Sequence, residues 1–238
     1  MKRNDNIIVL KGVWKTYSMG EVEVHALRGL SLEVKRGEFI AIQGPSGSGK
    51  STAMNMIGCL DVPTKGSIRL EGHDISHMSE SDLAQIRGKK IGFIFQQFNL
   101  INTLTATENV TLPMIFQGIG EEERQKHARE LLYKVGLSER LGHLPTQLSG
   151  GQQQRVAISR ALIHEPKFIV CDEPTAALDA ETGYGVMKIL RDIADSPDCA
   201  VLVVTHDNRI YDFADRILEM ADGRIIGDHL PQNFSHKE

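Results

Sequence analysis

Cysteine is scarce in this chain. Cys59, Cys171 and Cys199 lie far apart among 238 residues, and no CxxC pair occurs. An odd, dispersed set argues against a disulfide framework and against a zinc site, and it fits a reducing compartment. Aromatic residues make up only 5 % of the chain, too few for a base-stacking platform. Positive charge is also in deficit. Twenty-seven Lys and Arg stand against 31 Asp and Glu, a formal net charge of −4. That balance argues against a surface built for nucleic acid or anionic lipid. Apolar runs such as AVLVV at 200–204 fall far short of the roughly 20 residues that span a bilayer. The opening MKRNDNIIVL has two early basic residues and no apolar h-region, so it does not read as a signal peptide. Work at a membrane is therefore expected to go through a partner.

What is present is an ordinary globular composition, 41 % hydrophobic and 24 % charged. No internal repeat or low-complexity segment occurs, and no linker is clear enough to separate two independent domains. IIVL, SLEV and FIAIQ within residues 7–43 read as strands, with a tight turn at KRGE, 35–38, before the third. GSIRLEGHDI, 66–75, reads as a small hairpin. From about 80 to 165 polar helical stretches dominate, including EEERQKHARELLYKVGL with Ala128, Leu131, Leu132 and Val135 at helical spacing before Gly136. FIVCD and AVLVVTH then flank the helical TGYGVMKILRDIA, the order of a βαβ unit in a parallel sheet. ILEMADGRII reads as a hairpin around Asp222-Gly223, and the polar residues from Gly227 onward as a loose tail.

Between the strand FIAIQ and the helical run TAMNMIGCL lies GPSGSGKS, 44–51, which fits G-x-x-x-x-G-K-[ST] in its strand–loop–helix setting. The expected phosphate cradle is Gly44, Pro45, Ser46, Gly47, Ser48, Gly49, Lys50, Ser51 and Thr52. Gly44, Gly47 and Gly49 let backbone N–H groups converge on phosphate oxygens, which side chains would block. Lys50 can reach the terminal phosphates, and the Ser51 hydroxyl can ligate Mg²⁺. Asp172 ends the apolar strand FIVCD, where ligands of parallel sheets bind, and could hold that Mg²⁺ directly or through water. Glu173 beside it could act as general base toward a water. Gln96, after the strand-like IGFIF, could ligate the metal or the water. His206, ending AVLVVTH, could donate to a γ-phosphate. Read singly, Gln96 and His206 fit ordinary surface polar residues as well. His73 and His77 have i, i+4 spacing but no accompanying carboxylate motif, and read as a solvated loop rather than a metal site. Met54, Met56 and Cys59 read as core packing.

LSGGQQQR, 148–155, is an odd prelude to a helix: adjacent glycines weaken one, yet the helical RVAISRALI follows at once. With GPSGSGKST, FIFQQ, FIVCDEPT, AALD and VVTHD in this order, the chain resembles the nucleotide-binding subunit of ABC transporters over residues 5–226. The resemblance implies an α/β fold: a P-loop (RecA-like) core, an N-terminal antiparallel β subdomain and a helical subdomain at about 97–160, in a domain spanning 1–226 before a tail at 227–238. It implies an ATPase with ATP and Mg²⁺ as cofactors. Two copies would pack head to tail, with Ser149, Gly150, Gly151 and Gln152 of one covering ATP held by the other. It suggests Tyr17 as the ring stacked on adenine and Asp179 in the loop that crosses the dimer. Ala53, Cys171 and Ala176 depart from the more usual residues, and none is a chemical ligand.

GSGKSTAMNMIGCLDVPTKG, KIGFIFQQFNLINTLTATENVTLPMIF and LSGGQQQRVAISRAL are most similar to ATPases of macrolide exporters and lipoprotein-releasing complexes. The partners so implied are a membrane permease touching the helical insert, a second copy of the chain, and a periplasmic or extracytoplasmic adaptor. The location implied is the cytoplasmic face of the membrane. Two rivals share the motor: an ATPase of cell division or envelope remodelling that transports nothing, and a soluble one acting on nucleic acid or ribosomes. The second fits poorly with a short insert, a single copy and a negative charge.

Overall fold

A computed structural model describes residues 5–20 and 22–233. Two sheets share the core. The first is antiparallel, in the order β2-β1-β4-β5, from β1 (Asn6–Met19), β2 (Val22–Lys35), β4 (Lys65–Leu70) and β5 (His73–Asp74). The second runs β10-β9-β3-β8-β7-β6, from β3 (Phe39–Gln43), β6 (Ile91–Ile94), β7 (Phe168–Asp172), β8 (Ala200–Val204), β9 (Arg216–Ala221) and β10 (Arg224–His229). All its pairings are parallel except β9 with β10. The turn at Arg36-Gly37 therefore does not close a hairpin. It carries the chain from the edge strand β2 into the second sheet.

Local chemistry explains each piece. All five residues of β8 are buried, as expected of a central parallel strand covered on both faces. α6 (Ala180–Ala194) turns Gly183, Val186, Met187, Leu190 and Ala194 inward, a helical stripe packed on one face of that sheet. α1 (Lys50–Ile57) buries Ala53, Met54, Met56 and Ile57 between the two sheets, in the core formed by Ile8, Leu32, Phe168 and Leu202. Cys59 lies in the same core, and burial pushes its thiol up to about 12. α2 (Glu80–Lys90) leads into β6. Asp222 and Gly223 both have positive φ, 47° and 74°, the turn that suits the twist of the β9–β10 hairpin.

The helical insert has its own apolar centre. α3 (Ala106–Phe116), α4 (Glu121–Lys134) and α5 (Gly150–Leu162) enclose Val110, Met114, Ala128, Leu132, Val135 and Val156. Asn109 is fully buried there, and its Nδ2 donates to the carbonyls of Ile101, Leu104 and Thr105, fastening the preceding loop to α3.

One expectation is corrected. The chain does not loosen at Gly227. β10 runs on to His229, paired with Ile217 of β9, and a short 3-10 turn covers Pro231–Asn233. The ladder holds the polar end of the strand, 227–229, because backbone hydrogen bonds do not depend on side-chain polarity. The rest of that expected tail, 234–238, lies outside the described residues.

Candidate active site

The strand order decides the site. β3, β8, β7 and β6 are neighbours, and all four point their C-terminal ends the same way. The loop after β3 carries Gly44–Gly49, β6 leads to Gln96, β7 ends at Asp172 and Glu173, and β8 leads to His206. These ends border one cavity of about 760 Å³ lined by Ser46, Gly47, Gly49, Lys50, Ser51 and Thr52 on one side and by Gln96, Asp172, Glu173 and His206 on the other. A crevice at the carboxyl edge of a parallel sheet is where such folds bind ligands.

The glycines are required. Gly49 has φ 98°, and a Cβ there would lie 2.6 Å from the Ala26 carbonyl oxygen. A Cβ on Gly44 would run into the Met220 carbonyl. Gly49 is also the N-cap of α1 and, like Gly120 of α4, offers no side-chain cap, whereas Ser79, Thr105, Ser149 and Asp179 cap α2, α3, α5 and α6. The first-turn N–H groups of α1 thus have no side-chain acceptor and face the cavity, a seat for an anion. Behind the loop, Gly44, Pro45 and Ser48 are absent from the lining. Their backbone carbonyls shape the loop: Lys50 Nζ donates to Gly44 O at 2.7 Å and Pro45 O at 2.9 Å, and Gly223 N–H donates to Ser48 O at 2.9 Å, while the Ser48 hydroxyl is buried without a partner.

Glu173 has φ 47°, a left-handed conformation that costs free energy in a non-glycine residue. Its N–H donates to Val204 O at 2.9 Å. Its Oε2 accepts from Thr205 Oγ1 at 3.3 Å and from His206 N–H at 3.4 Å, and His206 Nε2 stands 3.8 Å from Oε1. Thr205 is fully buried and also accepts from Asp207 N–H at 2.9 Å, so it steadies the turn that carries His206. Burial holds the Lys50 ammonium below its ordinary value, opposed by the carboxylates of Glu173 and Asp172.

Burial likewise raises Asp172 above the usual carboxylate range, with Lys50 pulling the other way. The folded chain then binds this proton more tightly than the unfolded chain does. Stability falls as pH rises from the unfolded value of about 3.9 through the raised one, so the ionised carboxylate is a cost at neutral pH. Asp172→Asn is expected to raise the Tm of the nucleotide-free protein at pH 7, with the gain shrinking as pH is lowered toward about 4. Calorimetry across that range checks it; an unchanged or lower Tm at pH 7 would contradict it.

Ser51, Gln96 and Asp172 bring a hydroxyl, an amide and a carboxylate to the same cavity, oxygen donors suited to a hard cation. Among the described residues no group of three or more His, Cys, Asp or Glu could hold a metal by itself.

Other expected residues fall elsewhere. Ser149, Gly150, Gly151 and Gln152 are not in the lining. They form the first turn of α5, where Ser149 Oγ accepts from Gln152 N–H at 3.4 Å and Gln152 Oε1 accepts from Ser149 N–H at 2.9 Å. This is a capping box, and its S-x-x-Q spacing is legible in the sequence. Gly151 packs so tightly on Thr182 of α6 that a Cβ would strike its methyl group. Asp179 caps α6, accepting from Thr182 N–H at 2.9 Å and Thr182 Oγ1 at 2.7 Å. Tyr17 is outside the lining too. Its hydroxyl donates to Asp61 Oδ2 at 3.2 Å and Lys15 Nζ lies 5.1 Å from its ring centre. Its cross-strand partner Val24 does line the cavity. Sequence reasoning missed Glu23, Val24, His25, Ala26 and Arg28, which wall the cavity from β2, and Asp222 and Gly223 from the β9–β10 turn. No local pattern marks them.

A family model described as ABC transporter matches residues 27–176. The chain is 52 % identical to an uncharacterized ABC transporter ATP-binding protein of Thermotoga maritima, over 93 % of this chain and 94 % of that one. It is 47 % identical to the macrolide export ATP-binding/permease protein MacB of Aggregatibacter actinomycetemcomitans, over 94 % of this chain but 34 % of that protein. Among solved structures, the ATP-binding cassette MJ0796, as a dimer in a post-hydrolysis state bound to ADP and Pi, matches with TM-score 0.86 and 47 % identity, over 95 % of this chain and 100 % of that one. MJ0796 comes from Methanocaldococcus jannaschii. A matched stretch exceeding half the chain, with relatives near half identity over almost all of it, makes this protein an ATP-binding member of the ABC transporter family.

Proposed function

We propose that the chain is the Mg²⁺-dependent ATPase of a membrane exporter, acting as a head-to-tail homodimer on a separate permease. The observation that carries this reading is a divided site. The cavity gathers Lys50, Ser51, Gln96, Asp172, Glu173 and His206, while Ser149–Gln152 lie outside its lining. A second copy, turned about a two-fold axis, would bring that segment over the nucleotide. That the MJ0796 cassette is dimeric with ADP and Pi bound supports pairing of two copies.

In this reading the Gly44–Thr52 loop and Lys50 hold the phosphates, and Tyr17 stacks on adenine beside Val24. Ser51, Gln96 and Asp172 would hold Mg²⁺, which when bound neutralises phosphate charge and orients the terminal group. Glu173 takes the proton of the attacking water, and Thr205 and the His206 N–H keep its carboxylate aimed. His206 donates to the γ-phosphate. Ser149, Gly150, Gly151 and Gln152 of the second copy close the site, with Asp179 near the dimer axis. ATP then links two subunits, and its hydrolysis releases them.

No helix among the described residues is long and apolar enough to cross a membrane. The permease is a separate chain in this proposal, with the helical segment 97–160 as its docking face and an extracytoplasmic adaptor beyond it. Likeness to MacB supports export of the macrolide type, and the lipoprotein type rests on the sequence resemblance alone. The test is to tag the Glu173→Gln variant, solubilise native membranes with Mg-ATP and identify what co-purifies. A permease with a large extracytoplasmic domain is expected. A division-associated membrane protein would move the function to envelope remodelling. Only soluble or nucleic-acid partners would overturn the exporter reading.

A further inference from the structure

α5 reaches the cavity's margins with side chains from its middle and its far end. Gln154 is fully buried and donates from Nε2 to Pro174 O at 2.7 Å, one residue past Glu173. Arg160, six residues on, donates from Nη1 to Asn99 O at 2.6 Å and from Nη2 to Phe98 O at 2.9 Å. Phe98 and Asn99 belong to the loop that starts at Gln96. Asn99 has φ 50°, a conformation asparagine tolerates but that needs support.

Arg160 is held by carbonyls rather than by a carboxylate, as Arg155 is on the same helix, but its two acceptors lie in the Gln96 loop. Arg36, Arg87, Arg191, Arg209 and Arg216 each pair with a carboxylate. Among the described residues Arg160 pairs with none; two successive carbonyls hold its guanidinium. Short charge-assisted bonds from a planar fork fix both peptides in orientation, which a single ammonium cannot do. The helix bearing that fork begins with Ser149–Gln152. One side chain therefore ties the glutamine loop to the helix that presents the signature.

We propose that Arg160 is a positioning residue of the ATPase: it holds the Gln96 loop to α5, so Gln96 in the chain's own cavity and the signature offered to a second copy keep one fixed relation. The proposal rests on the functional reading above. Its geometric half can be tested without that reading.

Arg160→Met keeps the length of the stem and removes the fork. Hydrogen exchange of amides 96–102 in the nucleotide-free full chain is expected to quicken by about tenfold or more, with the 44–52 loop unchanged. Nucleotide affinity of the monomer should stay within about threefold. The turnover number should fall by about tenfold or more with KM within about threefold, the pattern of a lost positioning contact rather than lost binding. In the Glu173→Gln background, ATP-dependent dimerisation should weaken to a similar degree. Arg160→Lys, with one donor head in place of the fork, should lie between Met and wild type. If Arg160→Met does not fold, Arg160→Lys carries the test at wild-type Tm. Unchanged exchange at 96–102, or wild-type turnover in a folded variant, would overturn the proposal. If instead the wild-type chain neither hydrolyses ATP nor dimerises, while exchange at 96–102 still responds to Arg160, the functional reading fails and the tether stands.

Discussion

Glu173→Gln is expected to bind ATP as tightly as wild type and to hydrolyse it about 100-fold more slowly, or slower still. The substitution spares the structure for a specific reason. The contacts to Oε2 come from two donors, Thr205 Oγ1 and the His206 N–H, and an amide oxygen accepts them as a carboxylate does. The left-handed backbone at residue 173 is set by its N–H bond to Val204 O, not by the side chain. What disappears is the ability to take a proton from water. With hydrolysis blocked, ATP has no exit by chemistry, and the bound state accumulates. Light scattering after mixing with Mg-ATP should therefore show a dimer that persists for the slowed turnover time. Phosphate release at the wild-type rate would show that another group is the base.

Lys50→Met should act at the opposite step. Lys50 is only 8 % exposed and donates to two loop carbonyls, Gly44 O and Pro45 O. It is also the cation facing Asp172 and Glu173. Removing it leaves two half-buried carboxylates across from the place where further negative charge must enter. Loss of a buried charge contact of this kind costs about 2–4 kcal/mol, roughly 30- to 1000-fold in Kd. Binding of a fluorescent ATP analogue should weaken by that factor, and Lys50→Arg should not restore it, since a planar fork cannot replace a point charge between two converging carbonyls. Affinity within about threefold of wild type would remove Lys50 from the phosphate site. Together the two variants separate capture from chemistry: one should fill and stall, the other should fail to fill.

The parts legible in the sequence are those whose physics is local. A glycine-rich turn between an apolar strand and a helix declares a phosphate loop because loop and helix N-terminus are contiguous in the chain. FIVCD followed by Glu173 reads as a buried strand ending in an acid pair for the same reason. Even LSGGQQQR contains its own cap, in the spacing of Ser149 and Gln152. Elements that no residue pattern reveals are those made by pairing across distance. The end of β10, 227–229, is ordered by its ladder to β9 despite its polar composition. Glu23, His25 and Arg28 reach the cavity only because β2 passes beside the phosphate loop, where Arg28 N–H bonds Gly223 O. Arg160 meets Phe98 and Asn99 across some sixty positions of chain. Composition and motifs thus determined the class of chemistry, ATP binding of the ABC type. The tertiary structure decided which residues wall the site, which loop Arg160 holds, and that the signature segment lies outside its own chain's cavity. Backbone turns and helix starts are settled by neighbours a few residues apart, whereas a cavity wall is settled by which strands lie side by side.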